Sequence, residues 1–389
     1  MKKIKAGLFG FGVVGEGIWQ VIGARPALGV EIVRVVIRQA AKPRHAPASL
    51  FTTDAQQVLG DPEISLVIEL IDDADAALKI ALSAMEAGKS VISANKKMIA
   101  ENHSLLIGTA RKYNVSFLYE AAVCGSVPVI RNLEEYFDND LITDVCGIVN
   151  GSTNYILTRM MKTGCGYEAA LKEAQSLGFA ESNPALDVEG IDARNKLKII
   201  ALHAFGVLVP DEQIAVRGID AISPFDLQYA KEKDLVIKLL ATCRRNEAGE
   251  LEEVSVLPTF LPRYHPLRLT DNEFNGVLIG GELTSRQFMY GKGAGRYPTS
   301  SAVLSDVSAF RYNYRYAYKK GVAPGKYSHE VQRKVYVSFP PGYEPDLGGA
   351  GKVEISHQTE QRNYVVLTGG LKGLQSLVKD PKVSVICYN

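Results

Sequence analysis

Along the N-terminal part of the chain, short apolar runs alternate with amphipathic stretches. Residues 4–9, 31–37, 66–71, 90–93 and 115–120 are of strand length and rich in Val, Ile, Leu and Phe. The stretch after Gly15 and residues 76–88 repeat apolar positions at helical spacing instead. Strand-length runs separated by helix-length ones are the pattern of βα units, whose strands lie parallel in one sheet. From about residue 133 the rhythm changes: an apolar run at 145–149 is followed by a helix at 167–177 that stops at Gly178. From Ile191 onward, Leu197, Ile199, Ile200 and Leu202 continue a helical pattern. Residues 204–219, interrupted near Pro210, and residues 225–238 also read as helical. Strands follow at 253–260, 275–279 and 288–290, then a helix at 300–310. The tail has the order β-β-β-α-β, at 335–339, 352–357, 364–368, 370–378 and 383–388. Helices followed by a run of strands imply an open sheet with helices on one face.

Composition narrows this picture without redirecting it. A length of 389 residues predicts two or three domains, and 46% hydrophobic with 22% charged residues is ordinary for a globular protein. A net charge of +1 supplies no basic footprint, so neither nucleic acid nor an anionic membrane is expected as a partner. No apolar run approaches the ~20 residues of a membrane span. The opening MKKIKAGLFGFGVVGEGI imitates a signal peptide, but its glycines and Glu16 fit a strand–turn–helix better. The five cysteines (Cys124, Cys146, Cys165, Cys243, Cys387) lack CxxC spacing, so neither a disulfide framework nor a zinc site is indicated. A cytoplasmic location is expected. Cys124 reads either as a nucleophile or as a small buried hydrophobe; no partner histidine is evident, which favours the second.

Candidate chemistry begins at Gly10-Phe11-Gly12-Val13-Val14-Gly15, between the first strand and the first helix. There the first glycine permits a tight turn, the second lets backbone approach a pyrophosphate, and the third allows close packing of helix on strand. The helix N-terminus then faces the phosphates. A purely structural glycine turn is the alternative. At the end of the second strand, where an NAD site places Asp or Glu, the chain reads IRQAAKPR. Arg38, Lys42 and Arg44 there suit a 2′-phosphate, so NADP(H) is expected to be preferred, with NAD(H) possible; a solvated basic loop is the competing reading.

A second constellation lies in GFAESNPALDVEGIDARNKLKIIALH, residues 178–203. Asp192 and Lys196 are four apart on the predicted helix, so carboxylate and ammonium share one face. As a surface ion pair this is worth ~0.3–0.5 kcal/mol and means little. As a buried pair it is a tuned proton donor with its orienting carboxylate. Pro184 and the acids Glu181, Asp187 and Glu189 look like a loop that delivers carboxylates to one place. Two other features invite a site without making one. His265, in HPL, reads as a turn histidine, and Tyr312, Tyr314, Tyr316 and Tyr318 alternate as one face of a strand or linker rather than as a nucleic-acid stacking platform.

FAESNPALDVEGIDARNKL, together with GIVNGSTNYILTRM at 147–160, closely resembles long motifs of homoserine dehydrogenases. Ser93-Ala94-Asn95-Lys96 resembles that family's TANK motif, and residues 291–299 resemble its GxGAGxxPT motif. The resemblance covers roughly residues 5–310. It implies an α/β protein with a Rossmann-type dinucleotide-binding domain at 1–132, to which 296–312 return, and an α+β substrate and dimerisation domain at 133–295. A linker and a small ACT-like α+β domain, lacking its first helix, would fill 313–389. The implied reaction is reversible NAD(P)-dependent hydride transfer between aspartate 4-semialdehyde and L-homoserine, in a homodimer. Lys196 is then the general acid/base and Asp192 its orienting partner, while Glu181, Asp187, Gly151, Ser152 and Lys96 contact substrate. The cofactor is expected on Gly10–Gly15, Arg38, Ser93, Asn95, Lys96, Gly293 and Gly295. The family also implies a monovalent cation (Na+ or K+) on the backbone carbonyls of Glu120, Val123, Gly125 and Val127.

Departures from the family pattern are Asp72-Asp73, where a glycine pair is usual, and Asn183, where aspartate is usual. They keep two alternatives open, another NAD(P)-dependent reductase on the same scaffold or a non-catalytic dinucleotide-binding regulator. With every chemical motif before Phe310, the tail is expected to be dispensable for folding and turnover.

Overall fold

The computed structural model describes residues 3–39, 42–139, 141–328 and 331–389. The chain separates into two compact units, Met1–Tyr136 with Lys292–Lys319, and Phe137–Gly291 with Lys320–Asn389.

In the first unit β1 (Ile4–Phe9), β2 (Val30–Val36), β3 (Phe51–Thr52), β4 (Leu66–Glu69), β5 (Ser90–Ser93) and β6 (Phe117–Leu118) form a sheet in the order β3-β2-β1-β4-β5-β6. Every pairing in it is parallel. This is the doubly wound order, which binds dinucleotides where the chain reverses beside β1. Strands covered on both faces carry no alternation, and Leu66, Val67 and Ile68 of β4 are all fully buried. Between the strands run α1 (Val13–Ala24), α2 (Gln56–Leu59), α3 (Ala74–Glu86) and α4 (Lys96–Lys112), with α5 (Val129–Glu134) after β6. Asp73 accepts from the Ala76 N–H at 2.9 Å and so caps α3. Half of the unusual Asp72-Asp73 pair therefore has a local folding role.

The second unit begins with β7 (Ile142–Ile148), α6 (Gly151–Thr163), α7 (Tyr167–Ser176), α8 (Ala185–Val188) and α9 (Ile191–Phe205). Next come β8 (Val207–Leu208), β9 (Ala215–Val216), α10 (Pro224–Glu232), β10 (Val236–Arg245), β11 (Leu251–Leu261), β12 (Phe274–Gly281) and β13 (Ser285–Lys292). Two helical expectations are corrected here. Residues 204–219 are not a helix: α9 stops at Gly206, whose φ of 71° is left-handed and where a Cβ would lie 2.3 Å from the Lys320 carbonyl oxygen. Nor does the helix at 225–238 run its expected length, because α10 ends at Glu232 and β10 starts at Val236. As a central strand between β7 and β11, β10 is buried through its middle on both faces, so its apolar run shows no period of two.

The chain then returns to the first unit with α11 (Arg296–Arg311), which packs on α1 so closely that a Cβ on Gly17 would meet Arg296 Cγ at 2.7 Å. Arg296 also pairs with Glu16 at 3.1 Å. The tyrosines that follow are not a strand. Tyr316 is buried, its hydroxyl accepting from the Tyr119 N–H, and the Tyr318 and Tyr119 hydroxyls are 2.9 Å apart.

The tail contains β14 (Ala323–Pro324), β15 (Gln332–Phe339), β16 (Lys352–His357), β17 (Asn363–Gly370), α12 (Gln375–Lys379) and β18 (Ser384–Tyr388). Its strands do not make a separate domain. They extend one ten-stranded sheet in the order β13-β12-β7-β10-β11-β18-β15-β17-β16, with β9 also on β11. β18 runs parallel to β11 (Thr259 opposite Cys387) and antiparallel to β15. Leu257 of β11 belongs to the same core cluster as Val335, Val337, Leu367 and Val385. A βββαβ tail alone would leave strand edges open; here β18 closes one of them against β11.

Candidate active site

At the nucleotide end, the glycine fingerprint resolves into distinct jobs. Gly10 has φ 92°, and a Cβ there would lie 2.8 Å from the Leu70 carbonyl oxygen. A Cβ on Gly15 would lie 2.4 Å from the Gly10 carbonyl oxygen, so the β1–α1 turn is closed on its inner side. A Cβ on Gly12 would meet nothing within 4 Å. Gly12 is the N-cap of α1 and Val13 is exposed in its first turn, so free N–H groups face open space, which fits a pyrophosphate. Phe11 packs edge-on against Phe51 at 5.0 Å, and Val14 accepts from Ser300 Oγ at 3.3 Å. Arg38 is exposed beyond the end of β2. Ile37, Lys42, Arg44, Phe51 and Thr52 line a neighbouring cavity of about 420 Å³. The Arg44 guanidinium is held by the carbonyls of Lys42 and Gln39, both at 2.6 Å.

The ends of β4 and β5 are tied together by buried polar groups. Glu69, fully buried, accepts from Ser93 Oγ at 2.6 Å and from the Ile71 N–H at 2.6 Å. Ser93 Oγ in turn accepts from the Asn95 N–H at 3.0 Å. Asn95 caps α4 through Met98 N–H and donates to the Ile71 carbonyl. The side chains of Ser93 and Asn95 are thus engaged in shaping the end of the sheet, and Lys96 stands half-buried at the first position of α4.

The loop after β6 uses Cys124 and Gly125 in succession at φ 56° and 52°, and Ser126 N–H donates to the Lys292 carbonyl, which places the loop beside Gly293. Cys124 itself is buried. The carbonyls of Glu120 and Val127 each accept one N–H, from Val123 and Val129, and each keeps a second lone pair. The Glu120 carboxylate caps the start of α5 by accepting from the N–H groups of Ile130 and Arg131.

Burial raises Glu69 and Glu120 from an ordinary 4.5 to about 7, against the lowering effect of their hydrogen bonds. Burial, with the neighbouring Glu120 charge, pushes Asp306 well above its usual range. These groups hold protons when folded that the unfolded chain releases near 4.5, so stability falls as pH rises from there toward 7. Thermal unfolding between pH 5 and 8 is expected to show that decline, and Asp306→Asn to flatten it. Equal slopes for variant and parent would remove Asp306 from the account.

In the second unit the acidic loop and the helix α9 converge on the β7–α6 junction. Lys196 is 9% exposed and Asp192 5%, so their pair is buried. Lys196 Nζ lies 2.7 Å from Asp192 Oδ2 and donates to the Val149 carbonyl at 2.6 Å. An ammonium has a third donor, which remains for a ligand oxygen. Arg194 and Lys198, flanking it in sequence, both pair with Asp211 instead. Asp192 Oδ2 also accepts from Asn150 Nδ2 at 2.8 Å, and Asp187 Oδ1 accepts from the same nitrogen at 2.7 Å. Gly151 and Ser152 are the first two residues of α6, whose unpaired N–H groups suit a carboxylate. Glu181 is exposed in the loop, its carbonyl accepting from Gln175. Asn183 Oδ1 accepts from the Ala185 N–H at the start of α8, which an aspartate would do equally well. His265 accepts from the Leu267 N–H and is buried, a turn histidine. The sequence pattern marks neither α6 as a helix nor Asn150 as the donor that joins two carboxylates.

A family model described as homoserine dehydrogenase matches residues 128–308, and one described as homoserine dehydrogenase, NAD binding domain, matches residues 10–120. The homoserine dehydrogenase of Bacillus subtilis is 39% identical, over 81% of this chain and 74% of its own. The chain belongs to the homoserine dehydrogenase family. The Mycobacterium tuberculosis H37Rv homoserine dehydrogenase is 33% identical over 95% of this chain and 88% of its own. The crystal structure of a homoserine dehydrogenase from Thiobacillus denitrificans matches with a TM-score of 0.89 at 31% identity, covering 100% of this chain and 99% of that one. Similarity in fold to a homoserine dehydrogenase therefore runs through the tail, beyond the motifs that end near Phe310. As a homoserine dehydrogenase the protein is an NAD(P)-dependent oxidoreductase of amino-acid biosynthesis, with a Rossmann domain for its nucleotide.

Proposed function

We propose that Lys196 is the general acid in the reduction of aspartate 4-semialdehyde and the general base in the oxidation of L-homoserine, with Asp192 orienting it. The buried Lys196–Asp192 pair, anchored on the Val149 carbonyl, is the observation that carries this reading. When bound, the nicotinamide supplies or accepts the hydride. The residues of the chain do the rest. Lys196 protonates the oxygen that becomes the homoserine hydroxyl, and in reverse takes that proton. Glu181 and Asp187 meet the substrate ammonium, and the first-turn N–H groups of Gly151 and Ser152 hold its carboxylate. Lys96 is a further cation toward substrate and cofactor. The dinucleotide is held by Gly10–Gly15, with Gly293 and Gly295 over the nicotinamide half. Oxidation of L-homoserine, followed spectrophotometrically beside other hydroxy acids, tests the reading; turnover confined to another hydroxy acid would overturn it.

NADP(H) is the proposed preferred cofactor, supported by exposed Arg38 and by Lys42 and Arg44 at the cavity beyond β2. Arg38→Asp is expected to shift the ratio of kcat/KM for NADP(H) over NAD(H) by about tenfold or more toward NAD(H), the scale of one charged hydrogen bond. An unchanged ratio would remove Arg38 from cofactor choice. A monovalent cation on the carbonyls of Glu120, Val123, Gly125 and Val127 is proposed to hold the loop after β6. The protein is proposed to work as a cytoplasmic homodimer. Among the described residues no helix is long and apolar enough to cross a membrane.

A further inference from the structure

We propose that Asn150 is a positioning residue that yokes the substrate-binding carboxylate of Asp187 to the acid-orienting carboxylate of Asp192, a role that rests on Lys196 being the acid.

Asn150 stands where β7 ends and α6 begins, and part of its work is ordinary. Its Oδ1 accepts from Thr153 N–H at 2.9 Å and from Thr153 Oγ1 at 3.0 Å, capping α6. Ser, Thr or Asp would cap as well. What none of those residues has is the NH2 group, and both hydrogens of a carboxamide can be donated. Here Nδ2 donates 2.7 Å to Asp187 Oδ1 and 2.8 Å to Asp192 Oδ2. The two carboxylates come from different elements, α8 and α9, and repel one another unless a donor stands between them. Asn150 and Asp192 are each 5% exposed, so water does not take that place, and hydrogen bonds to charged acceptors are strong there.

The arrangement closes on itself. The Asp192 oxygen that accepts from Asn150 is the one beside Lys196 Nζ, and Lys196 donates in turn to the carbonyl of Val149, the residue before Asn150. One dipeptide therefore holds both ends of the acid pair, the lysine through backbone and the aspartate through side chain. Asp187 is attached to the same nitrogen, so the carboxylate meant for the substrate ammonium is set in register with the acid. Misplacing such a constellation by about 1 Å costs ~10²-fold in rate.

The test uses the full-length enzyme with Asn150→Ser and Asn150→Asp, both of which keep a cap for α6. Homoserine oxidation with NADP+ is measured over a range of pH, beside thermal unfolding. Both variants are expected to unfold within a few degrees of the parent and to keep its KM for NADP+. Asn150→Ser is expected to lose ~10–10²-fold in kcat with a several-fold rise in KM for homoserine. Asn150→Asp is expected to lose more, and increasingly so as pH rises. Its introduced carboxyl can donate only when protonated, and it faces Asp187 from α8 with Asp192 and Lys196 from α9. Asn150→Ser within about twofold of the parent in both constants would overturn the proposal. So would losses that merely track a lower unfolding temperature or a raised KM for NADP+. A parent enzyme that does not oxidise homoserine would instead remove the reading of the site on which the proposal stands.

Discussion

Replacing Lys196 with alanine is expected to lower kcat by ~10²-fold or more, the usual scale for losing a general acid, while NADP(H) binding stays within about twofold. The substitution takes away the ammonium that contacts both Asp192 and the Val149 carbonyl, and Arg194 and Lys198 on the same helix are paired with Asp211. Neighbouring lysine cannot stand in for it. Asp192 remains buried but keeps Asn150 as a donor, so a loss of stability is expected to be smaller than for a stranded carboxylate. Steady-state kinetics in both directions, with a fluorescence titration of NADPH, separate the terms. If kcat survived and NADPH affinity collapsed, the lysine would be a cofactor ligand and the assignment wrong.

A chain ending at Lys320 is expected not to fold, the reverse of what the motif positions alone imply. It would lack β15, β17 and β18, exposing the Thr259–Phe260 part of the β11 edge and the apolar cluster around Leu257. It would also leave Glu253, which is 3% exposed, without its partner Arg333. Stranding one member of a buried ion pair costs about 3–5 kcal/mol, a large part of the ~5–15 kcal/mol that holds a typical domain together. Arg217 would lose its two carbonyl acceptors, those of Val378 and Val383. Soluble yield and the far-ultraviolet melting curve of the shortened chain are the measurements. A soluble, cooperatively melting and active product would sink this reading.

The parts of the fold that were legible are those written locally. The glycine fingerprint specifies a turn within a few residues of itself, and the i, i+4 spacing of Asp192 and Lys196 put both on one face of α9. The start of β10 reads as helix because a strand buried on both faces loses the alternation that distinguishes it from a helix. The element order of the tail is legible in its pattern, but its membership of the larger sheet is not, since nothing in β18 names β11 as its neighbour. Asn150 escaped for the same reason. Its cap of α6 is local, but its two carboxylate partners arrive from α8 and α9, and only the tertiary structure brings them together. Glu69 is a charged residue inside the apolar run 66–71, and its partner Ser93 lies on the next strand of the sheet.

The seat of β18 beside β11 also sets a timetable. A ribosome makes Leu251–Leu261 well before Ser384–Tyr388, and at ~5–20 residues per second the earlier strand waits several seconds with that edge open. For the first part of that interval, until Arg333 is made, Glu253 also lacks its ion-pair partner. The nascent second half is therefore expected to need protection from aggregation, and slowing translation between Lys320 and β18 is expected to lengthen the period in which it can aggregate, without altering any residue of the finished enzyme.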